Sequence, residues 1–147
     1  MGIPKTQTWI SAEEYLNGEP LSEIRHEYID GEVFAMAGGT PNHNVISGNF
    51  HAHLWSHLRG NPCRVFIADV KVRIITSQQD IFYYPDVIVA CDPNDDNEQF
   101  LRAPKLIIEV LSKSTHRLDR NEKFRNYITL PSLEEYVIAE QDRPCLM

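Results

Sequence analysis

Two carboxylates stand inside apolar runs of this chain. Asp86 lies within Tyr83-Tyr84-Pro85-Asp86-Val87-Ile88-Val89-Ala90-Cys91. Glu109 follows 23 residues later within Pro104-Lys105-Leu106-Ile107-Ile108-Glu109-Val110-Leu111-Ser112. Runs of this composition suit central strands buried on both faces. A charged group there is costly unless a cation or hydrogen bonds answer it. Two carboxylates on neighbouring strands, with an amine nearby, can hold Mg2+ or Mn2+ and steady an attacking water. Hard oxygen donors suit those ions, and the ion polarises a phosphoryl oxygen. A second arrangement stays open on spacing alone, in which Asp86 and Glu109 pair with Arg73 and Lys71 in an ion network.

The elements around the pair follow from local signals. Ser11 and Glu14 have capping-box spacing, so a short helix starts there, with Gly18 as its stop. Residues 27–36 read as a hairpin turning at Asp30-Gly31. In that register Glu27, Ile29, Glu32, Phe34 and Met36 share one face. Two acids among apolar neighbours are a misfit. Glu27 reads as a wet edge residue and Glu32 as a candidate site residue. Thr40 suits a helix N-cap and Pro41 the first helical position. That helix runs to about Arg59, with His43, Ile46, Phe50, Leu54 and Leu58 in one stripe. His43 therefore faces inward in the first turn, as a core histidine or a site residue. His51, His53 and His57 make no zinc set.

Arg64 to Ile74 reads as one strand, with Phe66, Ala68, Val70, Val72 and Ile74 on one face and Asp69, Lys71 and Arg73 on the other. Thr76 to Asp80 is a polar turn. The acidic loop 92–98 reads as an exposed connection. A second helix spans about His116 to Thr129, with Asp119, Lys123 and Tyr127 stacked at i, i+4, i+8. Residues 135–139 form a last strand. The order predicts an α/β protein, a mixed sheet covered by helices on both sides, in a single domain over residues 1–147.

Composition narrows the class. The chain is long enough for one real core, and its longest apolar runs fall short of a membrane span. The polar N-terminus has no secretory apolar region. Three cysteines without metal-type spacing argue against a disulfide framework and for a reduced, cytoplasmic setting. The net charge of −7 argues against indiscriminate nucleic-acid binding. Residues 102–125, however, hold seven basic residues against three acidic ones. This stretch is either a solvated helix face or a surface for an anionic substrate, with Lys113, Arg120 and Tyr127 as candidate contacts.

Pro85-Asp86 followed by Glu109-Val110-Leu111 resembles the PD-(D/E)xK nuclease superfamily, the restriction-endonuclease-like fold. The chain is more closely similar to the Uma-type family of short restriction-endonuclease-like proteins. The matching stretches are Glu27 to Val33, Met36 to Thr40 with His43, Tyr84 to Val87, Ile108 to Ser112 with Ser114-Thr115, then Asp119, Lys123, Tyr127 and Glu135-Tyr136. The resemblance implies a restriction-endonuclease-like core with an N-terminal hairpin, Asp86 and Glu109 as metal ligands for Mg2+ or Mn2+, and Glu32 and His43 in the same site. The implied activity is metal-dependent hydrolysis of DNA phosphodiester bonds. The alternative is a catalytically silent nucleic-acid-binding or assembly module. A homodimer is left open, and no membrane partner is expected.

Two departures stand out. The superfamily lysine falls two residues after Glu109, where this chain has Leu111. Lys123, about two turns into the following helix, is expected to replace it by reaching back over the sheet; Lys71 is the competitor. The chain also stops at Met147, sooner than the resemblance leads one to expect. By truncation or as a natural end, a segment closing the sheet after Ile138 is expected to be absent.

Overall fold

The structure is a computed structural model that describes residues 9–112 and 117–141, with the backbone alone for 117–119. Helix α1 spans Ala12–Gly18. Ser11 Oγ accepts from the Glu14 amide, and Glu14 reaches back to the Ser11 amide, so the capping box is complete. A 3-10 turn, Glu19–Leu21, follows. Strands β1 (His26–Ile29) and β2 (Glu32–Ala35) form the expected hairpin, with Ile29 opposite Glu32 and Glu27 opposite Phe34. Its turn uses positive φ at both Asp30 and Gly31, the geometry a two-residue hairpin demands. Helix α2 spans Pro41–His57, and Thr40 Oγ1 caps it by accepting from the His43 amide.

Beyond α2 the chain departs from the expected strands. The predicted strand Arg64 to Ile74 is two strands, β3 (Arg64–Ile67) and β4 (Lys71–Ile75). They separate at Ala68, whose φ of +67° is left-handed, at a steric cost of roughly 1–2 kcal/mol for a residue with a Cβ. The apolar run around Asp86 also divides, into β5 (Asp80–Tyr83) and β6 (Val87–Ala90). Pro85 explains the second break: it has no N–H for a ladder, and it restricts Tyr84 before it. Strand β7 (Phe100–Leu101) was not anticipated. Strand β8 (Pro104–Val110), helix α3 (Arg117–Tyr127) and strand β9 (Glu135–Ala139) match their expected places within a residue or two.

The α/β class holds, and the strands divide between two mixed sheets of order β2-β1-β5-β4-β7 and β3-β6-β8-β9. Two of the points where the chain passes between them are Ala68-Asp69-Val70 and Tyr84-Pro85-Asp86. The Ala68 amide donates to the Asp86 carbonyl at 3.0 Å, which ties the two crossings together. The main core joins both sheets through Val72, Ile74, Ile81 and Tyr83 on one side and Ile88, Ala90 and Ile107 on the other, with Tyr127 of α3. A second cluster packs Tyr15 of α1 onto Tyr28, Phe82 and Phe100. Helix α2 lies against β3, β6 and β8.

Two expectations fail outside the strands. Cys63 and Cys91 form a disulfide. They occupy the next rung beyond the Arg64–Ala90 pair of the β3–β6 ladder, a juxtaposition invisible in linear spacing. The loop 92–98 is not wholly exposed either. Asp95 is buried and accepts from the amides of Arg102 at 2.8 Å and Ala103 at 2.8 Å, which pins the turn into β7. Among the described residues no helix is long and apolar enough to cross a membrane.

Candidate active site

The second crossing delivers Asp86 to the start of β6. Asp86 Oδ2 accepts from the Val110 amide at 2.6 Å, and Oδ1 lies 3.3 Å from His43 Nε2 in the first turn of α2. Glu109 stands beside Val110 on β8, and β6 and β8 run antiparallel with Val87 opposite Ile108, so the next step along the ladder brings Asp86 near enough to Glu109 for their charges to interact. Glu109 Oε2 accepts from the Tyr127 hydroxyl at 2.9 Å. Glu27 of β1 adds a third carboxylate. Its Oε2 is 2.6 Å from Lys123 Nζ, and that ammonium also lies 5.2 Å from the centre of the Tyr83 ring. Arg25, Glu27, Phe34, His43, Tyr84, Asp86, Glu109, Ser112 and Lys123 all line one cavity of about 170 Å3.

Burial raises the Asp86 carboxyl above the usual range; the Val110 amide, His43 and Lys123 oppose that rise. Burial pushes Glu109 up to about 8, with Lys123 pulling it down and the negative charges of Asp86 and Glu27 adding to the rise. Three carboxyl groups thus crowd a shared space beside one ammonium and one imidazole, and the charges of Asp86 and Glu27 help Glu109 keep its proton. Tyr127 is fully buried, and burial followed by the charge of Glu109 keeps its hydroxyl protonated, as a donor to that carboxylate.

The structure brings Asp86, Glu109, His43 and Lys123 together as expected. Glu32 does not join them. It shares a hairpin face with Glu27, but it sits at the turn end, exposed and opposite Ile29, whereas Glu27 sits at the open end opposite Phe34. The hairpin face is the expected one, and the site lies at its open end. The misfit of a glutamate on an apolar face was the available signal, and it belongs to Glu27, which is buried rather than wet. Tyr127, expected as a substrate contact, is fully buried, donates to Glu109 and is not among the cavity's lining. Arg120 is half-buried on α3 and is not among the cavity's lining. Lys113 lies outside the described residues. The alternative ion network does not form. Arg73 pairs with Asp80 at 2.7 Å, and Lys71 is buried against the Tyr84 ring at 5.3 Å from its centre. Lys71 is not among the lining either, so Lys123 is the lysine at the carboxylates.

Among the described residues, no group of three or more His, Cys, Asp or Glu stands ready to hold a metal ion as arranged. The donor chemistry nevertheless fits Mg2+ or Mn2+. Asp86 and Glu109 offer hard oxygens, and their mutual repulsion is the kind a divalent cation relieves.

A family model described as "Uma2: Putative restriction endonuclease" matches residues 12–147. An uncharacterized Synechocystis protein, slr1290, is 42% identical over 131 residues, covering 88% of this chain and 68% of its own length. A second uncharacterized Synechocystis protein, sll1609, is 33% identical over 144 residues, covering 96% and 80%. The crystal structure of a putative nuclease belonging to DUF820 from Anabaena variabilis superposes with a TM-score of 0.68 at 20% identity. It covers 86% of this chain and 74% of the other. That level of identity carries the fold.

Proposed function

The chain belongs to the Uma2 family, and from that premise we propose that it is a metal-dependent endonuclease that hydrolyses DNA phosphodiester bonds in the Glu27–Asp86–Glu109–Lys123 cavity. The observation that carries the reading is Lys123. The strand position of the superfamily lysine holds Leu111, yet an ammonium from α3 reaches the carboxylates from another element. A scaffold kept only for binding has no need of that replacement.

Asp86 and Glu109 would hold Mg2+ or Mn2+, which supplies polarisation of the phosphoryl group and acidifies a bound water. Lys123 places a positive charge beside the scissile phosphate, where it offsets charge that grows in the transition state. Glu27 holds that ammonium in place. His43 steadies Asp86 from the opposite side, and the Tyr127 hydroxyl fixes the rotamer of Glu109. Catalysis then rests on positioning and electrostatics. The test is cleavage of plasmid and linear duplex DNA with Mg2+ or Mn2+, beside Lys123→Ala and Asp86→Asn. Cleavage by the wild type that both variants lose supports the reading. Equal cleavage by all three proteins, the sign of a contaminating nuclease, or none by the wild type in either metal, removes it.

A further inference from the structure

The same cavity carries a second cation that the reaction as described does not use. We propose that Arg25 is a substrate-positioning residue that grips a backbone phosphate of the nucleic acid at the rim of the cavity. This rests on the nuclease reading above.

Arg25 immediately precedes β1, and its carbonyl accepts from the Met36 amide at 2.9 Å, so the hairpin ladder extends to it. In a pleated strand Arg25 and Glu27 share a face, one step apart. The guanidinium is held on two sides. Nη1 donates to the Ala68 carbonyl at 2.6 Å, and the group lies over the Tyr84 ring, 5.4 Å from its centre. Both anchors belong to the crossings that place Asp86. The guanidinium is therefore fixed relative to the carboxylates before any substrate arrives.

Its charge is also differently engaged from those of its neighbours. Lys123 contacts Glu27 at 2.6 Å, and His43 lies beside Asp86. Arg25 is held by a neutral carbonyl and a ring face. Among the described residues its ion-pair partner is Asp69, 3.9 Å away and 84% exposed, where water screens the pair. The fork of an arginine matches two phosphate oxygens, a geometry lysine cannot copy. A polyanion approaching three carboxylates on a protein of net charge −7 needs such a grip.

The experiment is the salt dependence of binding to a short fluorescent random-sequence DNA duplex, with Ca2+ in place of the catalytic metal. Removing one phosphate contact lowers the slope of log affinity against log salt by about 0.9 for duplex DNA. Arg25→Gln is expected to show that loss, and Arg25→Lys to recover the slope without the full affinity. A merely structural anchor of Ala68 would lower the melting temperature of both variants and leave the slope alone; that result overturns the proposal. If Arg25→Gln does not fold, phenylglyoxal labelling of the wild type decides. Bound DNA is expected to protect Arg25, and equal labelling with and without DNA overturns the proposal. A wild-type protein that neither binds nor cleaves the duplex removes the nuclease reading itself, an outcome distinct from normal binding with an unchanged Arg25→Gln slope.

Discussion

Lys123 Nζ and Glu27 Oε2 lie 2.6 Å apart although 96 positions separate them, and both side chains are largely shielded from solvent. A partly buried pair of this kind joins the first hairpin to α3 and fixes the ammonium above Tyr83. Lys123→Ala is expected to lower the cleavage rate by about a hundredfold or more, the scale of removing one transition-state charge contact. Mn2+ binding should persist. Lys71→Ala is expected to keep cleavage, because Lys71 lies outside the cavity. Cleavage that survives in Lys123→Ala and disappears in Lys71→Ala would reverse the assignment.

Asp86 and Glu109 are expected to bind one divalent ion together. Calorimetric titration with Mn2+ should give a site that Asp86→Asn and Glu109→Gln each abolish. Saturating metal should raise the melting temperature by mass action. Affinities unchanged in both variants would contradict this.

Glu109 sets a pH dependence. Its folded-state pKa, about 8, lies above its ordinary 4.5, so the folded protein holds a proton the unfolded chain releases. Metal-free stability is therefore expected to be highest below pH 4.5 as far as this group is concerned. It should fall as pH rises toward 8, then level off. Glu109→Gln should flatten that slope in denaturant titrations at a series of pH values. Metal affinity should move the opposite way and strengthen as pH rises through 8, because ion and proton compete for the same oxygens. A slope that the variant leaves intact would assign the titration to another group.

Cys63 and Cys91, 28 positions apart, close a loop that contains the crossings at Ala68-Asp69-Val70 and Tyr84-Pro85-Asp86. In the chain-entropy account a loop of that size stabilises by about 3–4 kcal/mol. Adding reductant should lower the melting temperature without removing Mn2+ binding. Intact-mass analysis under non-reducing conditions should show the bond, and finding two free thiols there would count against the pairing.

Asp95→Ala is expected to cost about 1–2 kcal/mol, because the partly buried amides of Arg102 and Ala103 lose their acceptor. Cleavage at temperatures well below melting should be unaffected, as Asp95 does not line the cavity. A variant as stable as the wild type would mean that water replaces the carboxylate.

Local signals in the sequence were reliable where a single element contains its own reasons. The capping box at Ser11, the turn at Asp30-Gly31 and the N-cap at Thr40 were all readable because each motif is complete within a few residues. The division of strands at Ala68 was not, since nothing in alanine announces a left-handed backbone; the partners that hold it there, Arg25 and the Asp86 carbonyl, are distant in sequence. Pro85 did announce the second break, but the apolar run around it masked the signal. Within the site, Asp86 and Glu109 were legible as misfits of charge in apolar runs. Glu27 and Glu32 carried the same misfit, and alternation cannot tell the two ends of a hairpin face apart. Arg25 lacked even that cue, because an arginine just before a strand looks like ordinary surface.

The placement of the cavity beside the two sheet crossings has a consequence for the order of folding events. The β1–β2 and β4–β5 hairpins close over short turns and can form within microseconds. Glu27, Asp86, Glu109 and Lys123 come together only once both sheets have docked, and contacts so distant in sequence form late. We expect refolding followed by circular dichroism to run ahead of the recovery of Mn2+ binding, so that a nascent chain acquires strands well before it acquires a pocket for metal. Simultaneous recovery of the two signals would show instead that the crossings nucleate the fold.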